Sequence, residues 1–277
     1  MVSVESSGAR HGAYTHQFFC FLQDRNRRYV LSSCVDYFGA HAGAVGILDK
    51  ADGDAGLGMI ELRDITKSYK TKLGRKYVFR NLHAIFPEGK NIGILGPNGA
   101  GKSTLLRLIG KIDYPDSGEV ITEKKISWPV GLSGGFQGSL TGRDNVKFTC
   151  RIYGANGDIG EKIAFVQEFA GLGDYFDLPV KTYSTGMRAK LAFGLSMAFN
   201  FDYYLVDEVT AVGDRFFREK SNALFSEKLK KANIIMVSHQ LEKLRPFCDI
   251  GVVVNEGQVY VFDTIQDAIT YYQSIKT

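Results

Sequence analysis

Residues 91–104 read Asn91-Ile92-Gly93-Ile94-Leu95-Gly96-Pro97-Asn98-Gly99-Ala100-Gly101-Lys102-Ser103-Thr104, and Leu105-Leu106-Arg107-Leu108-Ile109-Gly110 follow. The apolar run Asn91 to Leu95 predicts a short buried strand, and the leucine-rich run predicts a helix. Between them lies G-x-x-x-x-G-K-S in full. Glycines let the backbone turn tightly enough for successive N–H groups to converge on an anion, and the helix that opens at the end of the loop adds its positive dipole. Lys102 is placed to neutralise β and γ phosphates, and the Ser103 hydroxyl to ligate Mg²⁺. Strand, phosphate loop and helix in this order predict an α/β nucleoside-triphosphate-binding fold, with Gly96 through Thr104 as the cradle.

Such a site needs a carboxylate at the end of a buried strand to hold the metal, and a group to orient the attacking water. Tyr203-Tyr204-Leu205-Val206-Asp207-Glu208 supplies both: the apolar run suits a parallel strand, whose C-terminal end is where ligands sit in an open sheet. Asp207 is the expected metal ligand and Glu208 the expected base. A further apolar strand, Ile234 to Val237, runs into Ser238-His239. A histidine there can bridge the γ phosphate and the water.

A strand-end Asp-Glu pair preceded by a small-residue turn that opens a helix resembles the nucleotide-binding subunit of an ABC transporter. The turn is Tyr183-Ser184-Thr185-Gly186-Met187, leading into a helix over Arg188 to Phe199. It is similar to the family's LSGGQ signature but departs at three of five positions, keeping the Ser184 hydroxyl and the Gly186 backbone. The resemblance implies that this turn grips ATP bound on a second copy of the chain. Leu132-Ser133-Gly134-Gly135-Phe136 matches the signature letters better. Its position, soon after Lys102 and far before Asp207, argues for the Q-loop region instead, with Gln137 as the metal-sensing glutamine. Ala211-Val212-Gly213-Asp214 resembles the loop that crosses between subunits, and Tyr69 is placed like the aromatic that stacks on adenine, with Tyr77 as the rival. The implied architecture is a P-loop core of mostly parallel strands, an antiparallel β patch at residues 59–90 and a helical subdomain at about 138–200.

The resemblance narrows over Ile126 to Gly131, Gly135 to Asn145 and Asp207 to Asp214, which look like the ATPase subunit of bacterial capsular-polysaccharide exporters. That implies ATP and Mg²⁺ as ligands and hydrolysis that drives closure and reopening of a homodimer. It also implies a place on the cytoplasmic face of the inner membrane, reached only through a membrane-spanning permease. O-antigen and teichoic-acid exporters remain alternatives; the O-antigen relatives carry an added C-terminal carbohydrate-binding domain, which is not expected here. After strands at Ile250 to Val254 and Gln258 to Phe262, only a helix capped by Thr264 and Asp267 fits. A soluble ABC ATPase acting on nucleic acid is the competing class. One phosphate loop, no extended heptads and a net charge of +4 disfavour it.

The 277 residues are 44% apolar and 23% charged, the composition of an ordinary globular protein, and no apolar run reaches the roughly 18 to 20 residues of a membrane helix. Cysteines at 20, 34, 150 and 248 are too widely spaced for a CxxC pair and read as reduced thiols. Residues 1–58 differ from the rest, holding 8 of the 31 glycines and showing no sustained period. Phe18 to Leu22 is too short for a signal-peptide core, and its arginines follow rather than precede it. This stretch reads as a disordered appendage, a docking arm or a start codon placed too early, with the compact domain beginning at Met59.

Overall fold

A computed structural model describes residues 20–23, 29–32, 59–131, 135–153, 159–207, 214–238 and 240–276. It divides into two units, residues 1–55 and 56–277. In the first, β1 (Cys20–Gln23) and β2 (Tyr29–Ser32) pair antiparallel, with Cys20 opposite Ser32. No period in the sequence announced this pair, and the remaining expectations for residues 1–58 fall outside the described residues up to Met59.

The second unit is built on two sheets. β3 (Ile60–Thr71) and β4 (Gly74–Phe86) form a long hairpin. The strand β5 (Ile92–Leu95) then runs through the phosphate loop into α1 (Lys102–Ile109). The next strand, β6 (Ser117–Ile121), returns to pair with β3, giving a three-stranded antiparallel sheet in the order β4-β3-β6. The patch expected over residues 59–90 is therefore incomplete without a strand from beyond α1. The pairing of β3 with β6 skips Asp64, a bulge at φ 52°. Gly118 sits against it at φ 83°, where a Cβ would collide with the backbone oxygens of Arg63 and Asp64.

The larger sheet has six strands in the order β11-β10-β5-β9-β8-β7, where β7 is Ile126–Pro129, β8 Tyr203–Asp207, β9 Asn233–Val237, β10 Ile250–Asn255 and β11 Gln258–Phe262. All neighbours pair parallel except β10 with β11. Alternation along each strand divides its side chains between two cores. Ile92, Ile94, Leu205, Ile235, Val237 and Val252 join α1 and the antiparallel sheet, whereas Leu95 and Val253 face α7 (Ile265–Ser274) and Tyr204 and Ile234 join a cluster with Phe193 and Phe217. Burial on both faces is why these strands read as continuous apolar runs.

The helical region comprises α2 (Gly142–Ile152), α3 (Ile159–Ala170), 3₁₀ turns at Gly173–Asp177 and Val180–Thr182, and α4 (Thr185–Met197). Its core holds Trp128, Val146, Phe176, Leu191 and Leu195. The Trp128 indole N–H donates to Ser196 Oγ at 2.9 Å, so the one tryptophan ties β7 to α4 without leaving a buried donor unpaired. Beyond β8 come α5 (Arg215–Leu229), before β9, and the short α6 (Leu241–Leu244), between β9 and β10. At the start of α7, Thr264 is the N-cap, the first half of the expected capping box: Asp267 N donates to Thr264 Oγ1 at 3.1 Å, and the Asp267 carboxylate returns to the Thr264 hydroxyl, accepting at 2.7 Å.

Candidate active site

Strand register decides where the chemistry collects. Ile94 lies opposite Val237, and Val237 opposite Asp207, so one row across β5, β9 and β8 ends all three strands together. The phosphate loop leaves the row at Leu95. Asp207, half-buried, stands at its end on β8, and Ser238 follows it on β9. Glu208 and His239, each one or two residues past the row in sequence, lie outside the described residues.

Within the loop, Gly96, Gly99 and Gly101 take φ of 147°, 78° and 111°, conformations that an L side chain rarely adopts. Gly96 also packs against the Val254 carbonyl, and a Cβ on Gly101 would come within 2.6 Å of the Val78 side chain. Lys102 is buried at 7% exposure, and its Nζ donates to the carbonyls of Gly96 and Pro97, both at 2.8 Å. An ammonium has three protons, so two of them fix its direction against the loop. Gly101 caps α1 with no side-chain hydrogen bond, and the first turn holds no acidic residue. An acid-free helix N-terminus beneath a glycine turn, with no side-chain cap, suits an anion such as phosphate. Ser103 is exposed in that first turn, and its hydroxyl and the Asp207 carboxylate are hard oxygen donors of the kind that could hold a divalent cation.

Tyr69 is tied to the same helix. Its hydroxyl donates to Asp113 Oδ2 at 2.7 Å and lies 3.4 Å from Thr104 Oγ1, while Lys67 Nζ pairs with Asp113 Oδ1 at 2.6 Å. Burial pushes the Asp113 carboxyl up, but hydrogen bonds from Lys67 and Tyr69 outweigh it and hold the group below the usual range. The ring is thus held at the start of α1, 36% exposed, with Lys67 Nζ 5.0 Å from its centre. Its rival Tyr77 carries the Arg80 guanidinium 3.6 Å over its ring. These links span residues far apart in the chain, so only the charged and hydroxyl character of Lys67, Tyr69 and Asp113 hinted at them.

Ser184 is the N-cap of α4: its Oγ accepts from Met187 N at 3.2 Å. The cap starts the helix three residues before the expected Arg188, and the helix ends at Met197 rather than Phe199. Ser184 and Gly186 are both exposed. Asp214 caps α5 through Phe217 N at 2.9 Å, and its other oxygen accepts from Lys190 Nζ of α4 at 2.8 Å. The Lys190 hydrogen bond, helped by the Phe217 N–H, pulls the Asp214 carboxyl down to about 2. Both carboxylate oxygens of Asp214 are therefore engaged within the chain. Gln137, exposed, is held by its main chain: its N–H donates to Asn145 Oδ1 at 2.9 Å and its carbonyl accepts from Asn145 Nδ2 at 3.1 Å. Residues 132–134, the better-lettered match to the signature, lie outside the described residues. The next helix, α2, opens only at Gly142, capped by Thr141.

The family model described as ABC transporter matches residues 79–211. The polysialic acid transport ATP-binding protein KpsT of Escherichia coli is 57% identical over 216 residues, 78% of this chain and 99% of that protein. The capsule polysaccharide export ATP-binding protein CtrD of Neisseria meningitidis is 47% identical over 217 residues, again 78% of this chain and all of its own length. Among solved structures, the dimeric post-hydrolysis state of the cassette MJ0796 bound to ADP and Pi matches with a TM-score of 0.59 at 24% identity, over 74% of this chain and 98% of that one. That likeness concerns the fold, and it agrees with the α/β core described above. The sequence matches, along nearly the whole of both relatives, establish that the chain belongs to the ATP-binding subunits of the ABC transporter family.

Proposed function

We propose that the chain is the ATP-hydrolysing, energy-coupling subunit of an exporter that moves capsular polysaccharide across the bacterial inner membrane. The observation that carries this reading is the uncapped glycine loop at the end of β5, set in a chain so similar to KpsT along that protein's entire length. Residues 59–277 form the ATP-binding domain, with residues 1–58 as an extension to it.

The roles follow from placement. Gly96 to Thr104 would wrap the phosphates, with Lys102 the charge on the β and γ groups. Ser103 and Asp207 would hold Mg²⁺, which neutralises phosphate oxygens when bound; Gln137 is the candidate sensor of that metal. Glu208 would orient the water and His239 would bridge it to the γ phosphate. Tyr69, anchored beside Thr104, is better placed for the base than Tyr77, whose ring Arg80 already covers. Ser184 and Gly186 sit exposed on the helical region, so they would act on nucleotide held by a second copy, an arrangement supported by the dimeric MJ0796.

No helix among the described residues is long and apolar enough to cross a membrane; the polymer's path is assigned to a membrane-spanning permease, as in the exporters the chain resembles. Phe148, Ile152 and Tyr153 are exposed along and just after α2, and that face is the proposed permease contact at the cytoplasmic side of the membrane. In capsulated cells deleted for their own export ATPase, the chain should restore surface polymer. Glu208→Gln should bind ATP, hydrolyse it at least ~100-fold more slowly, the scale of a positioned base, and leave polymer inside. Normal hydrolysis by the wild-type chain without any export of capsule would overturn the substrate assignment.

A further inference from the structure

We infer that Tyr272, on the last helix of the chain, is a positioning residue for the phosphate loop and acts on nucleotide through the Gly96 carbonyl and Lys102. The inference rests on the phosphate loop's being the nucleotide site. Tyr272 is 5% exposed, and its hydroxyl donates to Gly96 O at 3.2 Å. The same oxygen accepts from Lys102 Nζ at 2.8 Å. A carbonyl has two lone pairs, so Tyr272 and Lys102 share this one between them.

The peptide concerned is unusual in having one handle. It joins Gly96 to Pro97, and proline has no N–H, so hydrogen bonding can set the plane of that peptide only through its carbonyl. Glycine contributes no side chain to hold it either. Lys102 is a movable holder, because phosphate charge competes for its ammonium. Tyr272 is a fixed one, with a ring buried among Leu95, Val253, Ile265 and Ile269. The helix beneath it is equally fixed. A Cβ on Gly93 would come within 2.7 Å of Ile265 Cδ1, so α7 lies flush on the strand that feeds the loop. Ile265 N also donates to Asp249 O at 3.0 Å, and Lys276 Nζ sits 4.7 Å over the Tyr272 ring. The hydroxyl therefore keeps the first turn of the cradle, and the direction of Lys102, constant while the lysine exchanges partners.

Tyr272→Phe keeps the ring and removes the donor. ATP titrations and steady-state hydrolysis of the full chain should show about tenfold weaker binding and a matching rise in KM, the scale of one buried hydrogen bond. The kcat should stay within about twofold and the melting temperature of the nucleotide-free protein within a few degrees. Tyr272→Leu, which also removes the ring, should add a clear fall in melting temperature. An unchanged KM in the Phe variant, with or without lost stability, would make Tyr272 a packing residue and overturn the inference. A wild-type chain that fails to bind ATP would instead defeat the reading of the loop itself.

Discussion

Two helix N-termini carry most of the proposed chemistry, and they are finished differently. α1 begins at Gly101 with no side-chain cap hydrogen bond, and Lys102 brings a positive charge into the same turn. α4 begins at Ser184, whose hydroxyl already accepts from Met187 N; capping of this kind contributes about 1 kcal/mol. The first end lacks a side-chain cap, and on the proposed reading phosphate takes that place. The second is complete by itself, and what remains to offer is a hydroxyl proton and an exposed turn. A chain alone should therefore bind nucleotide through α1, whereas the α4 turn should matter only when a second copy closes on that nucleotide.

The largest effect should come at α1. Lys102→Ala removes the only cation in the first turn of that helix, and nucleotide binding should weaken and hydrolysis fall by ~10³-fold, the scale for losing preorganised charge at a phosphoryl centre. Measured on the isolated chain, intact ATP affinity in this variant would break the comparison at its stronger end. Ser184→Ala should behave otherwise. Binding of ATP to the dilute, monomeric chain should stay within about twofold, while turnover at concentrations that favour pairing should drop by ~10- to 100-fold through loss of one hydrogen bond to charge and part of the cap. Equal loss of monomer binding would mean that the α4 turn reaches nucleotide within its own chain. A smaller effect is expected at Tyr69, where the Ala variant should raise the KM for ATP several-fold, since stacking contributes about 1 kcal/mol. If Tyr77→Ala does this and Tyr69→Ala does not, the base lies over the Arg80 side instead.

The α1 end was almost wholly legible in the sequence, because strand, glycine loop, lysine and helix are contiguous and each residue acts within a few positions of the next. So were the place of Asp207 at the end of β8 and the Thr264 cap of α7. What was not legible depended on contacts between distant segments. β6 has an exposed, irregular pattern containing Gly118, and only its pairing with the bulge at Asp64 makes it a strand of the antiparallel patch. The tie of Tyr69 to Asp113, which decides where that ring sits, crosses from β3 to the turn after α1. The start of α4 was read three residues late because Thr185-Gly186 is poor helix sequence, and the Ser184 cap overrides it. Tyr272 carried no motif at all. Its hydroxyl matters only because α7 packs onto β5.

A third N-terminus sharpens the contrast. α5 is capped by Asp214, a negative group at the place where α1 has none, and Lys190 of α4 holds its second oxygen. An anionic cap repels phosphate, so this end should serve the link between α4 and α5, not the nucleotide. Its titration tests that. The folded-state pKa, about 2, is depressed from an ordinary value of about 3.9, so the favourable contribution is fully present above pH 4 and is lost as pH falls through 2. Asn is as good an N-cap as Asp, so Asp214→Asn removes the charge pair and leaves the cap. The variant should melt slightly below wild type at pH 7, and the gap should close between about pH 4 and pH 2. Its ATP turnover at pH 7 should match wild type. A large loss of turnover with an unchanged melting curve would place Asp214 in contact across the pair of chains, as the family resemblance implies, and the Lys190 bridge would then be its resting state.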